Sequence, residues 1–373
     1  MRATRRVALS MVLLASLAAC GGGDVTIPGS TPKTCVDDPT QTKCITTTTP
    51  NPDSTLRIVA AKTGRYVGAS VDALFGQATY NAVLSKEFSM LVAGNAQKWD
   101  AIHPARATFN YARGDAMLAF AQANGMKMRG HTLVWLNSQM PSWLINGGFG
   151  ADTLAQILKD HITSVVGHYR GTIYAWDVVN ESFTGNGAIA ASVWSNTLGK
   201  GYIETAFRAA RAADPAALLF YNDYNLEYNG AKQDSAAALI ADFKARGVPI
   251  DGIGFQAHFQ INADGSGVPD KAALTSVFQR FANLGMKIHL TELDVRIRTT
   301  ASAAELAAQT KAWSDITGAC MAVPACEAIV VWGITDTESW VNATFPGYGS
   351  ALLFDGSFGK KASYTAVKTA IGG

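Results

Sequence analysis

Histidine is scarce in this chain, six in 373 residues, and none of the six stands in a metal-binding spacing. There is no His-x-His pair and no paired histidine with a glutamate base between, so a metal-dependent hydrolase lacks its ligand set. No metal and no other cofactor is expected. Charge of one sign is also missing: 31 Lys and Arg against 29 Asp and Glu give a net +2. A nucleic-acid partner would need a basic face that this balance does not supply. No apolar run is long enough to cross a bilayer, and the N-terminal run Met11–Ala19 is too short. No glycine-rich phosphate turn follows the first strand pattern, which removes the signature of a nucleotide-binding doubly wound sheet. No internal repeat is visible beyond an alternation of strand and helix patterns.

The N-terminus carries instructions of its own. Arg2, Arg5 and Arg6 precede the apolar stretch Val7 to Ala19, the order of an export signal. Leu17-Ala18-Ala19-Cys20 resembles a bacterial lipoprotein signal, in which Cys20 becomes the lipidated first residue. An ordinary secretory signal with a chance cysteine is the alternative. Either way the chain leaves the cytoplasm, where disulfides are permitted. Residues 1–19 therefore read as a signal peptide, residues 20–56 as a flexible Thr/Pro/Gly-rich tether, and residues 57–373 as one catalytic domain. Of the five cysteines, four remain once Cys20 is set aside. The close spacings favour Cys35 with Cys44 and Cys320 with Cys326, a pairing that the sequence alone leaves open.

From Arg57 onward, short β-branched and aromatic runs alternate with helical patterns. The strand runs are Tyr66–Val71, Met90–Ala93, Lys127–Leu133, Ile173–Val179, Ala217–Tyr221, Gly252–Gln256, Lys287–Leu290 and Ala328–Gly333. Leu154, Ile157, Leu158, Ile162, Val165 and Val166 form an amphipathic stripe at helical spacing. Gly125, Gly171, Gly247 and Gly285 follow helical patterns where a left-handed cap is needed. Eight strand–helix units over about 310 residues fit a single (β/α)8 barrel, with a doubly wound sheet as the runner-up.

Polar residues gather at the C-terminal ends of these strands, where such a barrel holds its chemistry. Tyr174-Ala175-Trp176-Asp177-Val178-Val179 runs into Asn180 and Glu181, and Lys287-Ile288-His289-Leu290-Thr291 runs into Glu292. Asn95 and Lys98 follow strand 2, His131 and Trp135 end strand 3, and Asn222, Asp223 and Tyr224 end strand 5. Gln256 and His258 end strand 6, Asp294 lies just past Glu292, and Trp332 ends strand 8 with Trp340 beyond. Two glutamates facing one cleft are what cleavage of a glycosidic bond requires.

Here the chain resembles glycoside hydrolase family 10, the retaining endo-β-1,4-xylanases. The residues carrying the resemblance are Gly130-His131-Thr132-Leu133-Val134-Trp135, Trp176-Asp177-Val178-Val179-Asn180-Glu181, Gln256-Ala257-His258 and Thr291-Glu292-Leu293-Asp294-Val295. Trp332-Gly333, Ser339-Trp340 and Leu353-Phe354-Asp355 continue it to the C-terminus. The resemblance implies Glu181 as acid/base and Glu292 as nucleophile, with His258 and Asp294 orienting the nucleophile. It implies substrate contacts from Asn95, Lys98, His131, Trp135, Gln139, Asn180, Tyr224, Gln256, Trp332 and Trp340. Trp99, Trp143, Trp194 and Trp313 are expected to be packing residues.

Two departures fall on the glycone side of the cleft. The family usually has Glu-Asn-x-Met-Lys-Trp after strand 2, whereas this chain has Gly94-Asn95-Ala96-Gln97-Lys98-Trp99. The usual Trp-His-x-Gln is replaced by the longer Trp135-Leu136-Asn137-Ser138-Gln139. The expected protein is thus a monomeric xylanase acting on xylan or xylo-oligosaccharides, held to the cell envelope by a lipid, at the outer membrane in a Gram-negative host. The competing readings are the same barrel acting on short oligomers or another β-glycoside, and a lipid-anchored glycan-binding protein without activity.

Overall fold

The computed structural model describes residues 54–135 and 139–372, together with the backbone of two short segments near the N-terminus. Those segments, Thr34–Cys35 and Cys44–Ile45, pair antiparallel with Cys35 opposite Cys44. The side chains of that expected bridge lie outside the described residues. So do Cys20 with the signal segment, and Leu136, Asn137 and Ser138.

Eight parallel strands close into a barrel. They are β1 (Tyr66–Val71), β2 (Met90–Ala93), β3 (Lys127–Gly130), β4 (Ala175–Asn180), β5 (Leu218–Asp223), β6 (Gly252–Phe255), β7 (Lys287–Arg298) and β8 (Cys326–Val331). Each pairs with its sequence neighbours, and β8 pairs back onto β1 to complete the ring. Strand existence follows from the apolar runs, but β7 differs. It runs eight residues past Leu290, because a short strand at His258–Gln260 and another at Tyr348–Gly349 pair with its extension. Those partners are remote in sequence, so the polar letters of Thr291-Glu292-Leu293-Asp294 read as a strand end when they are a strand interior.

Helices cover the outside. The helix Ala151–His168 buries Leu154, Ile157, Leu158, Ile162, Val165 and Val166, each burial contributing roughly 1.5–3 kcal/mol before entropy is counted. The four glycines marked as helix stops take φ values of +59° to +76°, the left-handed conformation that costs a residue with a Cβ the most. Trp99, Trp194 and Trp313 are buried and Trp143 packs half-buried against the same core. Cys320 and Cys326 form a disulfide that ties the end of helix Ala303–Ala322 to the start of β8.

The barrel interior is not wholly apolar. Arg129 of β3 donates to both carboxylate oxygens of Asp177 of β4, at 2.8 and 2.7 Å. Arg129 Nε also meets His289 of β7 at 3.2 Å. Burial would push the Asp177 carboxyl up, but Arg129 and His131 override it and hold it down at about 2. Burial pushes His289 down to about 4, so it stays neutral beside Arg129. Such a pair, once buried, is far costlier to break by removing one member than to leave intact.

Both ends of the barrel domain meet at its floor, the face holding the N-terminal ends of the strands. Thr55 caps the helix Leu56–Lys62, and Ser54, Thr55 and Leu56 are buried. Arg57 donates to the carbonyls of Ser85, Asn124 and Gly125, at the ends of the helices that lead into β2 and β3. The last helix, Ala362–Gly372, packs alongside, and a methyl group on Gly372 would touch Val59.

Candidate active site

At the opposite face, the strand ends open into a cavity of about 760 Å³. Glu181 and Glu292 both line it. β4 delivers Glu181 in the left-handed region, φ +59°, which turns the chain out of the strand at the cavity wall. A non-glycine residue held there costs of order 1–3 kcal/mol and persists only where its surroundings fix it. Here its N–H donates to the Asn222 carbonyl at 2.9 Å, and its carboxylate Oε1 accepts from Gln256 Nε2 at 2.9 Å.

Glu292 sits deeper, with 5% of its surface exposed. Its Oε1 accepts from Asn222 Nδ2 at 2.7 Å, and its Oε2 lies 3.3 Å from His258 Nε2. The same Asn222 amide reaches Asn180 at 2.8 Å, and Asn180 reaches Glu181 at 3.3 Å. The two carboxyls are therefore joined through a pair of side-chain amides and do not touch each other. Burial would raise the Glu292 pKa, but the His258 hydrogen bond, with the charges of His131 and His258, lowers it below the ordinary value. Burial would lower His258, yet Asp294 and Glu292 raise it to about 10. His258 is thus an imidazolium at neutral pH, and Glu292 is a carboxylate. Asp294 accepts from Trp340 Nε1 at 2.7 Å and lies 2.9 Å from His258 Nδ1, which fixes ring and indole together.

The remaining expected contacts fall into two groups. On one wall Lys98 Nζ donates to Asn95 Oδ1 at 2.9 Å and to Gln139 Oε1 at 2.7 Å, and lies 4.7 Å from the Trp135 ring centre. Burial lowers the Lys98 pKa against the pull of Glu292 and Asp72. Across the cavity Trp332 meets His131 edge-on at 5.2 Å, and Trp340 packs on His258 at 4.8 Å. Tyr224 lies at the rim with Lys232 Nζ 3.1 Å from its ring centre. His131 reaches down to Asp177 at 3.0 Å and comes within 4.0 Å of Glu292, which links the barrel's buried charges to the mouth. Every residue expected to touch substrate lines this one cavity, and His258 does too; Asp294 lies beneath it, fully buried.

Asp72 was not among the expected residues. It follows β1 directly, lines the cavity and accepts a hydrogen bond from Asn95. The room beside Gly94 is not open: a Cβ there would meet the Val71 carbonyl at 3.3 Å and Asp72 Oδ2 at 3.8 Å. A carboxylate thus stands beside the position from which the glutamate is missing, supplied by the neighbouring strand. Asn222, seen in the sequence as a strand end, proves to be the link between the two glutamates. Its signal was the polar run Asn222-Asp223-Tyr224 at the end of an apolar strand.

An ionised carboxylate backed by an imidazolium, a second carboxyl within reach of the same amides, and indole faces suited to pyranose rings together define a barrel glycosidase. Comparison with protein families agrees. Residues 55–370 match glycosyl hydrolase family 10. Endo-1,4-beta-xylanase A of Fusarium oxysporum f. sp. lycopersici is 43% identical over 311 residues, 82% of this chain and 95% of that protein. Endo-1,4-beta-xylanase 1 of Humicola insolens is 41% identical over 85% of this chain and 74% of its own length. Among solved structures, xylanase 10B from Thermotoga petrophila RKU-1 in complex with xylobiose superposes with a TM-score of 0.82 at 39% identity. That alignment covers 86% of this chain and 97% of that one. The chain belongs to glycosyl hydrolase family 10.

Proposed function

We propose that this chain is an endo-β-1,4-xylanase that cleaves the xylan backbone with retention of anomeric configuration. The observation that carries the proposal is the pair Glu181 and Glu292 bridged by Asn222 and Asn180 in one open cavity. Glu292, kept ionised by His258, attacks the anomeric carbon. Glu181 gives a proton to the departing oxygen, then takes one from the water that releases the glycosyl-enzyme. Retaining enzymes of this kind hold their carboxyls about 5–5.5 Å apart, a gap the amide bridge is suited to keep. Asn180, beside Glu181 and Asn222, meets the 2-hydroxyl of the sugar under attack, a contact that strengthens in the transition state. Lys98, His131 and Asn95 receive the glycone, and Trp332 and Trp340 form its apolar walls. Linear xylan should yield new reducing ends, and NMR should find the β-anomer first. An initial α product would sink the retaining mechanism.

The chain is exported and tethered through a lipid on Cys20. Support comes from the basic and apolar order of residues 2–19 and the small residues before that cysteine. Gly21 next to it favours outer-membrane delivery in a Gram-negative host. Expressed from its full precursor, the protein should sediment with membranes, and Cys20→Ser should free it or leave it unprocessed. Unchanged sedimentation of Cys20→Ser would count against the anchor.

A further inference from the structure

Glu227 is a buried carboxyl that the mechanism above leaves unused. It lies in the loop between β5 and the helix Ala231–Ala245, with 2% of its surface exposed, and it does not line the cavity. Buried Gln233, from the start of that helix, donates to the carbonyls of Leu226 at 2.8 Å and Tyr228 at 3.4 Å. The loop is thus clamped on both sides of Glu227. An acid taken out of water needs a partner, because burial disfavours its charge. Here the partner is backbone: Glu227 Oε1 accepts the N–H of Ala257 at 2.6 Å.

That N–H sits at a break in the sheet. β6 ends at Phe255 and the short strand begins at His258, so Gln256 and Ala257 form the join. On β7, Leu290 pairs with Phe255 and Asp294 with His258. Thr291, Glu292 and Leu293 therefore stand opposite Gln256 and Ala257 alone. The mismatch is absorbed at Ala257, whose φ is +60°, a conformation that a residue with a Cβ holds only where its surroundings fix it. Both carbonyls of the join still serve β7: Gln256 accepts from the Glu292 N–H at 3.1 Å and Ala257 from the Asp294 N–H at 3.3 Å. The Ala257 N–H goes to Glu227 instead. The side chains flanking the break are the ones that hold the two glutamates. Gln256 Nε2 donates to Glu181 Oε1 at 2.9 Å, and His258 Nε2 lies 3.3 Å from Glu292 Oε2.

We propose that Glu227 is a positioning residue for the reaction: by holding the Ala257 turn, it seats Gln256 on Glu181 and His258 on Glu292 at once. The inference rests on the xylanase reading above. Burial pushes the Glu227 carboxyl up to about 7, against the pull of its own N–H, the Ala257 N–H and the charges of His258 and Lys232. Glu227 in turn adds to the burial that raises the Tyr228 phenol. Protonated or ionised, the carboxyl keeps an oxygen that accepts, so the hold does not depend on its charge.

The test follows kcat/KM on linear xylan against pH in the wild type, Glu227→Ala and Glu227→Gln. Without the acceptor the turn relaxes, and Glu227→Ala should lose about ten- to a hundred-fold in kcat, the cost of a small misplacement at a reacting centre. The acid limb of its profile should also move to higher pH. Burial would raise the Glu292 pKa and His258 holds it down, so loosening that contact lets it rise. Glu227→Gln keeps an acceptor oxygen and should recover most of the rate and return the limb. An acid limb that stays in place in Glu227→Ala overturns the inference, because a merely structural role lowers stability and leaves the limb alone. A Glu227→Gln protein that behaves like Glu227→Ala overturns it as well. Where Glu227→Ala does not fold, Glu227→Asp draws the acceptor back from Ala257 by one methylene and carries the same test: its acid limb should rise, and an unmoved limb overturns the inference. A wild type that is active on linear xylan with any of these overturning outcomes refutes this inference alone. A wild type inactive on linear xylan refutes the xylanase reading and this one with it.

Discussion

Glu292→Ala should lower turnover of xylan by several orders of magnitude while the barrel stays folded. The size follows from the role: without the carboxylate no covalent glycosyl-enzyme forms, and the remaining groups can only orient substrate and protonate the leaving oxygen. The fold should survive because Asp294 still holds His258 and Trp340, and Asn222 still has Asn180. The space left by the side chain lies next to the open cavity, so a small anion can enter. With an activated aryl xyloside, azide should attack the anomeric carbon from the side Glu292 occupied and expel the phenolate. The product is then the α-glycosyl azide, of inverted configuration. Circular dichroism establishes folding, and NMR of the azide adduct reads the stereochemistry. Full activity in a folded Glu292→Ala protein would exclude Glu292 as the nucleophile.

Glu181→Ala should separate substrates by their leaving groups. A sugar hydroxyl is a poor leaving group and needs a proton as the bond breaks, so xylan turnover should collapse, by about 10²–10⁴-fold for the lost proton transfer. A dinitrophenyl xyloside needs no such help in its first step, and its glycosylation rate should remain near that of the wild type. The second step still needs a base for water, so the intermediate should accumulate and appear as a burst of phenolate. Burst amplitude against enzyme concentration is the measurement. Equal slowing of both substrates, with no burst, would remove Glu181 from the acid/base role.

Much of this site is legible in sequence because a parallel barrel turns strand ends into neighbours. Glu181, His131, Gln256 and Trp332 each stand at or just past the end of an apolar run, so a local pattern locates them. Residues whose neighbours are set by non-local pairing are less visible. Arg296 lines the cavity only because His258–Gln260 pairs with β7 and carries it eight residues beyond its apolar segment. Asp72 sits one residue past β1 with no motif around it, and its meaning comes from Gly94 across the strand gap. Arg129 reads as an ordinary charge in a short strand. Only the closed ring brings Asp177 and His289 to it.

The meeting of the domain's two ends at the barrel floor bears on how the molecule can be handled. Val59 and Gly372 approach closely enough that a short Gly/Ser linker could join the ends, with little loop entropy to overcome. A circular permutant cut at an outer loop would keep every strand neighbour. Immobilisation through either end of the barrel domain itself would likewise leave the mouth, on the opposite face, clear of the support.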